Sequence, residues 1–159
     1  MTGLNFNTAP RPTQQSGQEV INSGKFWPEI NLNEMRLAMR IDNNVTSERL
    51  FHAAVSAAGF VNGQLDDIRR RAVSDGLLTL EAVSDEQING ESFAVLRYRR
   101  AVYCYTAAML FESYADAAAT GKTADRAESK QQQAEDYRRE GHYAVADLIG
   151  RQRIDSELI

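Results

Sequence analysis

Ala101-Val102-Tyr103-Cys104-Tyr105-Thr106-Ala107-Ala108-Met109-Leu110-Phe111 is the stretch on which the fold turns. It carries no charge, and wound as a helix it presents apolar side chains in nearly every direction. Such a helix must be buried on all sides, so the run marks the central element of a helical protein. Working outward, the helix is predicted from about Glu91 to Ala119, with Gly90 before it and Gly121 closing it. Its first half carries Arg97, Arg99 and Arg100.

The flanking segments supply partners for this helix. After it, a helix is predicted from Thr123 to about Ile149, with Gly150 as its stop and a core stripe of Ala134, Tyr137, Gly141, Ala144 and Leu148. Glu128 to Gln133 is polar on every side and should be solvated or project into a neighbouring molecule. Before it, Leu50, Ala54, Ala57, Val61, Leu65, Ile68 and Ala72 recur by threes and fours. That stripe keeps its phase across the turn signal Asn62-Gly63, so one helix, kinked at most, is predicted from Thr46 or Ser47 to Asp75. A short helix capped by Asn31 or Asn33 and ending near Ile41 comes first. Leu77 to Asn89 is a connector whose Leu77-Leu78-Thr79-Leu80 piece has strand character but no evident partner strand.

The reading is therefore an all-α fold, a small bundle of about four helices over residues 26–150. Residues 1–25 form a flexible N-terminal arm and residues 151–159 a C-terminal tail. The arm is rich in Thr, Gln, Asn, Gly and Ser and holds too little apolar surface to offset its ordering entropy. Phe26 and Trp27 end that composition abruptly and are the candidate anchor of the arm.

Composition excludes more than it proposes. The chain has 159 residues, 43% of them hydrophobic and 25% charged, ordinary for a single soluble domain. A net charge of -4 gives no overall attraction to nucleic acid, so any DNA contact needs a local patch. One cysteine, Cys104, permits neither an internal disulfide nor a cysteine zinc cluster, and its apolar setting reads as a small buried hydrophobe. No charged stretch followed by an apolar run opens the chain, and no apolar segment approaches the ~20 residues that span a bilayer. A protein kept in a cytoplasm, with no membrane partner, is the expectation.

The search for chemistry is nearly empty. Gly121-Lys122-Thr123 resembles the end of a phosphate loop, but the glycine required five positions earlier is Asp116 and a helix precedes it instead of a strand. Glu48 and His52 share a helix face, yet no Glu-x-x-His motif supplies a second ligand pair, and His142 beside Glu140 is no better placed. No serine has a nucleophile-elbow context. No catalytic residue, metal site or cofactor is assigned. What remains is clustered arginine, Arg69, Arg70 and Arg71 together with Arg97, Arg99 and Arg100, in an acidic chain. These six are candidates for inter-subunit or DNA contact; solvated or internally paired charge is the plainer alternative.

The order of short motifs adds a resemblance. Phe26-Trp27-Pro28-Glu29-Ile30 is followed by Met35-Arg36, then Ile88-Asn89-Gly90-Glu91-Ser92 leads into Arg99-Arg100-Ala101-Val102. Leu110-Phe111-Glu112-Ser113-Tyr114 and Ala144-Val145-Ala146-Asp147-Leu148-Ile149-Gly150-Arg151 complete the series. Over about Phe26 to Arg151 the chain resembles the head completion proteins of tailed phages, the gpL family of head–tail connectors. The resemblance implies a structural virion protein of the neck that assembles in the host cytoplasm. It implies a homo-oligomeric ring, commonly of twelve subunits, beneath the portal protein after packaging. Such a ring extends the channel around packaged double-stranded DNA, without sequence preference, and offers a docking surface to a second neck protein or tail terminator. Arg151, Arg153, Ile154, Leu158 and Ile159 of the tail are then the candidate portal contact.

Two other readings stay open at this level. A tail-terminator-like adaptor would tend toward mixed α/β structure. A small helical regulator that binds DNA or an RNA-polymerase subunit would want a basic recognition helix, and both arginine clusters share helices with much apolar or acidic surface.

Overall fold

The computed structural model describes residues 19–119 and 124–150. A short antiparallel pair opens the described chain: β1 (Val20–Ile21) runs against β2 (Ile30–Asn31), with Ile21 opposite Ile30. Helix α1 (Leu32–Ala38) follows at once because Asn31 caps it, its Oδ1 accepting from the N–H groups of Asn33 at 2.9 Å and Glu34 at 3.1 Å. The boundary expected at Lys25 falls inside this strand–turn–strand unit. Ile21 is buried, and the Leu32 N–H donates to the Glu19 carbonyl at 2.8 Å.

Helix α2 (Ser47–Gln64) is capped by Thr46, whose hydroxyl accepts from the Arg49 N–H. The predicted stripe faces inward: Leu50, Ala54, Ala57, Val61, Leu65 and Ala72 are all buried, and Ile68 packs partly buried against them. The single helix expected to Asp75 is in fact two. The backbone leaves helical geometry at Leu65 (φ -97, ψ 7), and α3 (Asp66–Ser74) restarts after it. Leu65 is completely buried, so the break turns the chain without losing the apolar stripe. Asn62-Gly63 makes no turn at all, because Asn62 has a partner inside: the Tyr98 hydroxyl donates to its Oδ1 at 2.8 Å.

The connector is also more ordered than its composition suggests. A 3-10 turn (Leu80–Val83) is fastened by the Leu80 N–H donating to the Phe26 carbonyl at 2.8 Å. The hairpin of β3 (Gln87–Ile88) and β4 (Glu91–Ser92) comes next. Its turn residues Asn89 (φ 53) and Gly90 (φ 79) both adopt the left-handed backbone that a tight two-residue hairpin requires. The predicted start of the long helix near Glu91 therefore moves to Phe93.

Helix α4 (Phe93–Ala119) is the centre of the fold, and α5 (Ala124–Ile149) returns antiparallel along it. From Ala101 to Ala108 every residue of α4 is buried, including Thr106, whose hydroxyl is satisfied by the Val102 carbonyl at 2.7 Å. Helix α2 runs antiparallel on another side of α4, Asn62 meeting Tyr98 at one end and Arg49 donating to the Ser113 Oγ at 2.9 Å at the other. The fold is predominantly helical, as predicted, with five α-helices among the described residues where about four were expected.

Candidate assembly surfaces

Two aromatics at the chain's entry close one end of the α4 core. Trp27 stacks on Tyr98 with ring centroids 5.3 Å apart and planes at 13°, while Phe26 meets Trp27 edge-on at 4.9 Å. Both are buried, and burial pushes the Tyr98 hydroxyl up to about 12, against its hydrogen bonds with Ser23 and Asn62. The arm that Phe26 and Trp27 were expected to anchor, through residue 18, lies outside the described residues.

The six candidate arginines do not converge. On α3, Arg69 and Arg70 pair with Asp66 at 2.7 and 3.0 Å, Arg70 also reaches Asp67 at 2.7 Å, and the Arg71 Nε donates to the Asp67 carbonyl at 3.3 Å. The hydrogen bond from Arg69 holds the half-buried Asp66 carboxyl below its ordinary range. On α4 the three arginines diverge. Arg97 packs over the Phe93 ring and lies 3.3 Å from Asp147 of α5, close enough for an ion pair but not aligned as a hydrogen bond. Arg99 pairs with Glu91, and Arg100 reaches Glu140 at 3.4 Å and the Met39 sulfur at 4.0 Å. Each of the six thus has a partner on its own chain, the plainer of the two alternatives.

Two grooves lie along α4 between Tyr105 and Tyr114. The larger, about 620 Å³, lies where α2, α4 and α5 meet. Its floor is Phe60, Tyr105, Ala108 and Met109, and its rim is Glu135, Arg138, Arg139 and His142. Gly141 lies behind it: a β-carbon there would stand 3.0 Å from the Tyr105 ring, so glycine lets α5 close over that ring without displacing it. Phe60 abuts the same ring edge-on at 4.9 Å yet remains 51% exposed, a large apolar group without full cover. The second groove, about 320 Å³, is lined by Arg40 to Asp42, Asn44, Val45 and the α4 residues Ala107, Leu110, Phe111 and Tyr114, with Lys130 of α5 at its edge. There Phe111 stacks on Tyr137 at 5.6 Å and Lys130 lies 4.5 Å over the Phe111 ring.

Neither groove holds a chemical constellation. Cys104 is fully buried, and burial pushes its thiol up to about 11, the opposite of an activated nucleophile. Among the described residues no group of three His, Cys, Asp or Glu side chains is placed to hold a metal ion, and no helix is long and apolar enough to cross a membrane. Glu48 and His52 are both exposed, and Gly121-Lys122-Thr123 lies outside the described residues. So do Arg151, Arg153, Ile154, Leu158 and Ile159. The larger groove was not foreseen; the exposed Phe60 beside buried Ala57, Ala58 and Val61 was the signal for it.

Comparison with known proteins supplies the family. The family model described as phage head completion protein (GPL) matches residues 21–159. The head completion/stabilization protein of Escherichia phage P2 is 32% identical over 141 residues, covering 88% of this chain and 83% of that protein. No solved structure matches. On these two matches the chain belongs to the phage head completion protein (GPL) family.

Proposed function

We propose that the protein completes the DNA-filled head of a tailed phage by forming a ring beneath the portal, commonly of twelve copies. The ring prolongs the DNA conduit, helps retain the genome and offers a docking surface to a second neck protein or a tail terminator. The role is structural, with no reaction and no cofactor. The observation that carries this reading is the pair of unlike surfaces to which α5 contributes. One is the apolar groove floored by Phe60, Tyr105 and Met109; the other is the polar helical stretch Glu128 to Gln133. A closed ring needs such heterologous contacts, one face of a subunit meeting a different face of the next. Predominant helix also sets the chain apart from the mixed α/β structure expected of a tail-terminator-like adaptor.

The internal pairing of Arg69, Arg70, Arg71, Arg97, Arg99 and Arg100 gives them a modest part in any channel contact. Where they meet DNA they do so through phosphate, without reading sequence. The portal contact is assigned to the tail, through Arg151, Arg153, Ile154, Leu158 and Ile159. Burial of each of the three apolar residues contributes roughly 1.5–3 kcal/mol. Ordering nine residues costs on the order of 1–2 kcal/mol apiece. One tail is therefore a weak binder, and many copies on a symmetric portal supply the avidity. The free chain is accordingly monomeric. Mixing it with portal rings and imaging the product tests the proposal: the intact chain adds a ring of density below the portal, and the chain lacking Arg151 to Ile159 does not. A stable ring without portal, or no association with portal at all, overturns it.

A further inference from the structure

Within the ring reading, on which this step rests, we infer that the acidic turn around Leu78 of one copy seats in the smaller groove of the next, against Leu110, Phe111 and Tyr114.

The turn is a fixed acidic knob. Leu78 keeps 71% of its surface in water, although the backbone on either side of it is fastened. The Leu77 N–H donates to the Ala72 carbonyl and the Leu80 N–H to the Phe26 carbonyl, both at 2.8 Å, and the Leu80 side chain is completely buried. Asp75, Glu81, Asp85 and Glu86 are exposed along the same turn, and among the described residues none of them is in an ion pair. Arg71, the cation that precedes them, is directed to the Asp67 carbonyl instead. A loop already held in shape loses little freedom when it docks.

The groove has the opposite character. Its α4 wall is apolar and aromatic, and its charged lining residues are Arg40, Lys130 and Asp42. The Asp42 carboxylate is engaged within its own turn, accepting from the Asn44 N–H at 2.8 Å. Among the described residues neither Arg40 nor Lys130 has a carboxylate partner; Lys130 lies over the Phe111 ring and donates to the Gln133 side chain at 3.3 Å. Arg49, 5.2 Å over the Tyr114 ring, brings a third such cation to that wall. In the larger groove, by contrast, Arg138 and Arg139 are each paired with a carboxylate. Lys130 also belongs to the polar stretch Glu128 to Gln133, so the contact continues the face that the ring reading gives to a neighbour.

One chain cannot make this contact with itself. The Ser92 hydroxyl donates to the Glu81 carbonyl at 3.3 Å, which ties the turn to the start of α4. Leu110 lies about 26 Å farther along that helix, at the helical rise per residue. The contact therefore joins unlike faces of two copies, the kind that a closed ring repeats. Acid against base sets its register more than its strength, in keeping with a free chain that is monomeric.

Crosslinking of the full-length chain tests the inference. Leu78→Cys in one chain and Asn44→Cys, exposed at the groove, in another supply the reactive thiols, since Cys104 is fully buried. Mixed at high concentration with a short bismaleimide, this pair should give about tenfold more mixed dimer than Leu78→Cys with Ser56→Cys, a site exposed on α2. Lys130→Glu in the Asn44→Cys chain should lower the yield about fivefold, and Asp75→Lys with Glu81→Lys in the Leu78→Cys chain should restore most of it. Equal yields from the two pairs, or a loss that the charge exchange fails to restore, overturn the inference. So does salt-sensitive retention of short duplex DNA by the native chain that Lys130→Glu abolishes, because the groove would then serve phosphate. Density below the portal judges the ring reading separately: a ring built from chains whose Leu78 and Asn44 sites do not link keeps that reading and refutes this contact.

Discussion

Tyr105 and Gln132 lie on partner helices of the same α4–α5 hairpin, yet one is enclosed and the other stands in water. In the inner half, α4 from Ala94 to Leu110 meets α5 from Ala134 to Leu148, and α2 and the entry aromatics cover the remaining sides. In the outer half, Glu128, Ser129, Gln131, Gln132 and Gln133 are exposed, and the helix there is held by side-chain pairs such as Gln132 with Asp136. The difference teaches where each half's sequence is constrained. Shape decides the inner half, while the outer half needs only to remain helical and polar, which leaves its surface available to neighbours.

The comparison breaks most readily at the entry aromatics. Trp27→Ala removes the ring stacked on Tyr98 and should cost about 3–5 kcal/mol, read as a fall in the denaturant midpoint of helical circular dichroism. A loss below about 1 kcal/mol would mean that the inner half does not depend on its cap.

Gly141→Val comes next. Its β-carbon would begin 3.0 Å from the Tyr105 ring, so the substitution should destabilise by about 1–3 kcal/mol despite the better helix propensity of valine. The same change should disturb the floor of the larger groove, since Tyr105 has to move. An unchanged Tm would show that α5 rides more loosely on α4 than the geometry implies.

Much of the inner half was legible in the sequence because its signal is periodic. The uncharged run Ala101 to Phe111, the α2 stripe and the α5 stripe each fixed an inward face, and each is buried apart from the half-buried Ile68, Met109, Phe111, Tyr137 and Leu148. What escaped was conformation set by single residues. Asn62-Gly63 reads locally as a turn, but a tertiary hydrogen bond from Tyr98 keeps it helical, and the break falls at Leu65, whose side chain carries no turn chemistry. The Asn89-Gly90 hairpin was marked by its dipeptide but lacks the alternating apolar flanks that normally identify strands; Gln87, Ile88 and Glu91 are polar or exposed. The candidate surfaces were the least legible. Arginine clustering along the chain said nothing of the acidic partners α4 and α5 bring to Arg97 and Arg100, and the larger groove arises from three helices distant in sequence.

Tyr98→Phe sharpens the same comparison with a smaller effect. It takes the hydroxyl partner from the half-buried Asn62 carbonyl oxygen and should cost about 0.5–1.5 kcal/mol. It should also alter the alkaline limb. The Tyr98 hydroxyl is raised from 10.0 to about 12 and the Cys104 thiol from 9.0 to about 11, both chiefly by burial. Folded pKa values above the unfolded ones contribute stability that is complete below the unfolded values and lost as pH rises through the folded ones. Stability of the native sequence should therefore decline from about pH 9 and keep falling to about pH 12; in Tyr98→Phe the decline should be shallower but not absent, because burial also raises the Tyr103 and Tyr105 hydroxyls. Denaturant midpoints measured across that range decide it.

The smallest effect on stability belongs to the outer half, and it bears most directly on assembly. Glu128→Ala, Gln131→Ala and Gln132→Ala together should leave stability within about 0.5 kcal/mol, because the side chains are exposed and alanine favours helix. If this polar stretch meets the next subunit, the triple variant should nevertheless associate with portal-bearing heads at least tenfold more weakly, a difference of about 1.4 kcal/mol. Fold and assembly would then separate along one helix, with stability residing where side chains interlock and association where they do not. Unchanged association alongside unchanged stability would leave Glu128 to Gln133 as a solvated face and move the inter-subunit contact to the apolar grooves.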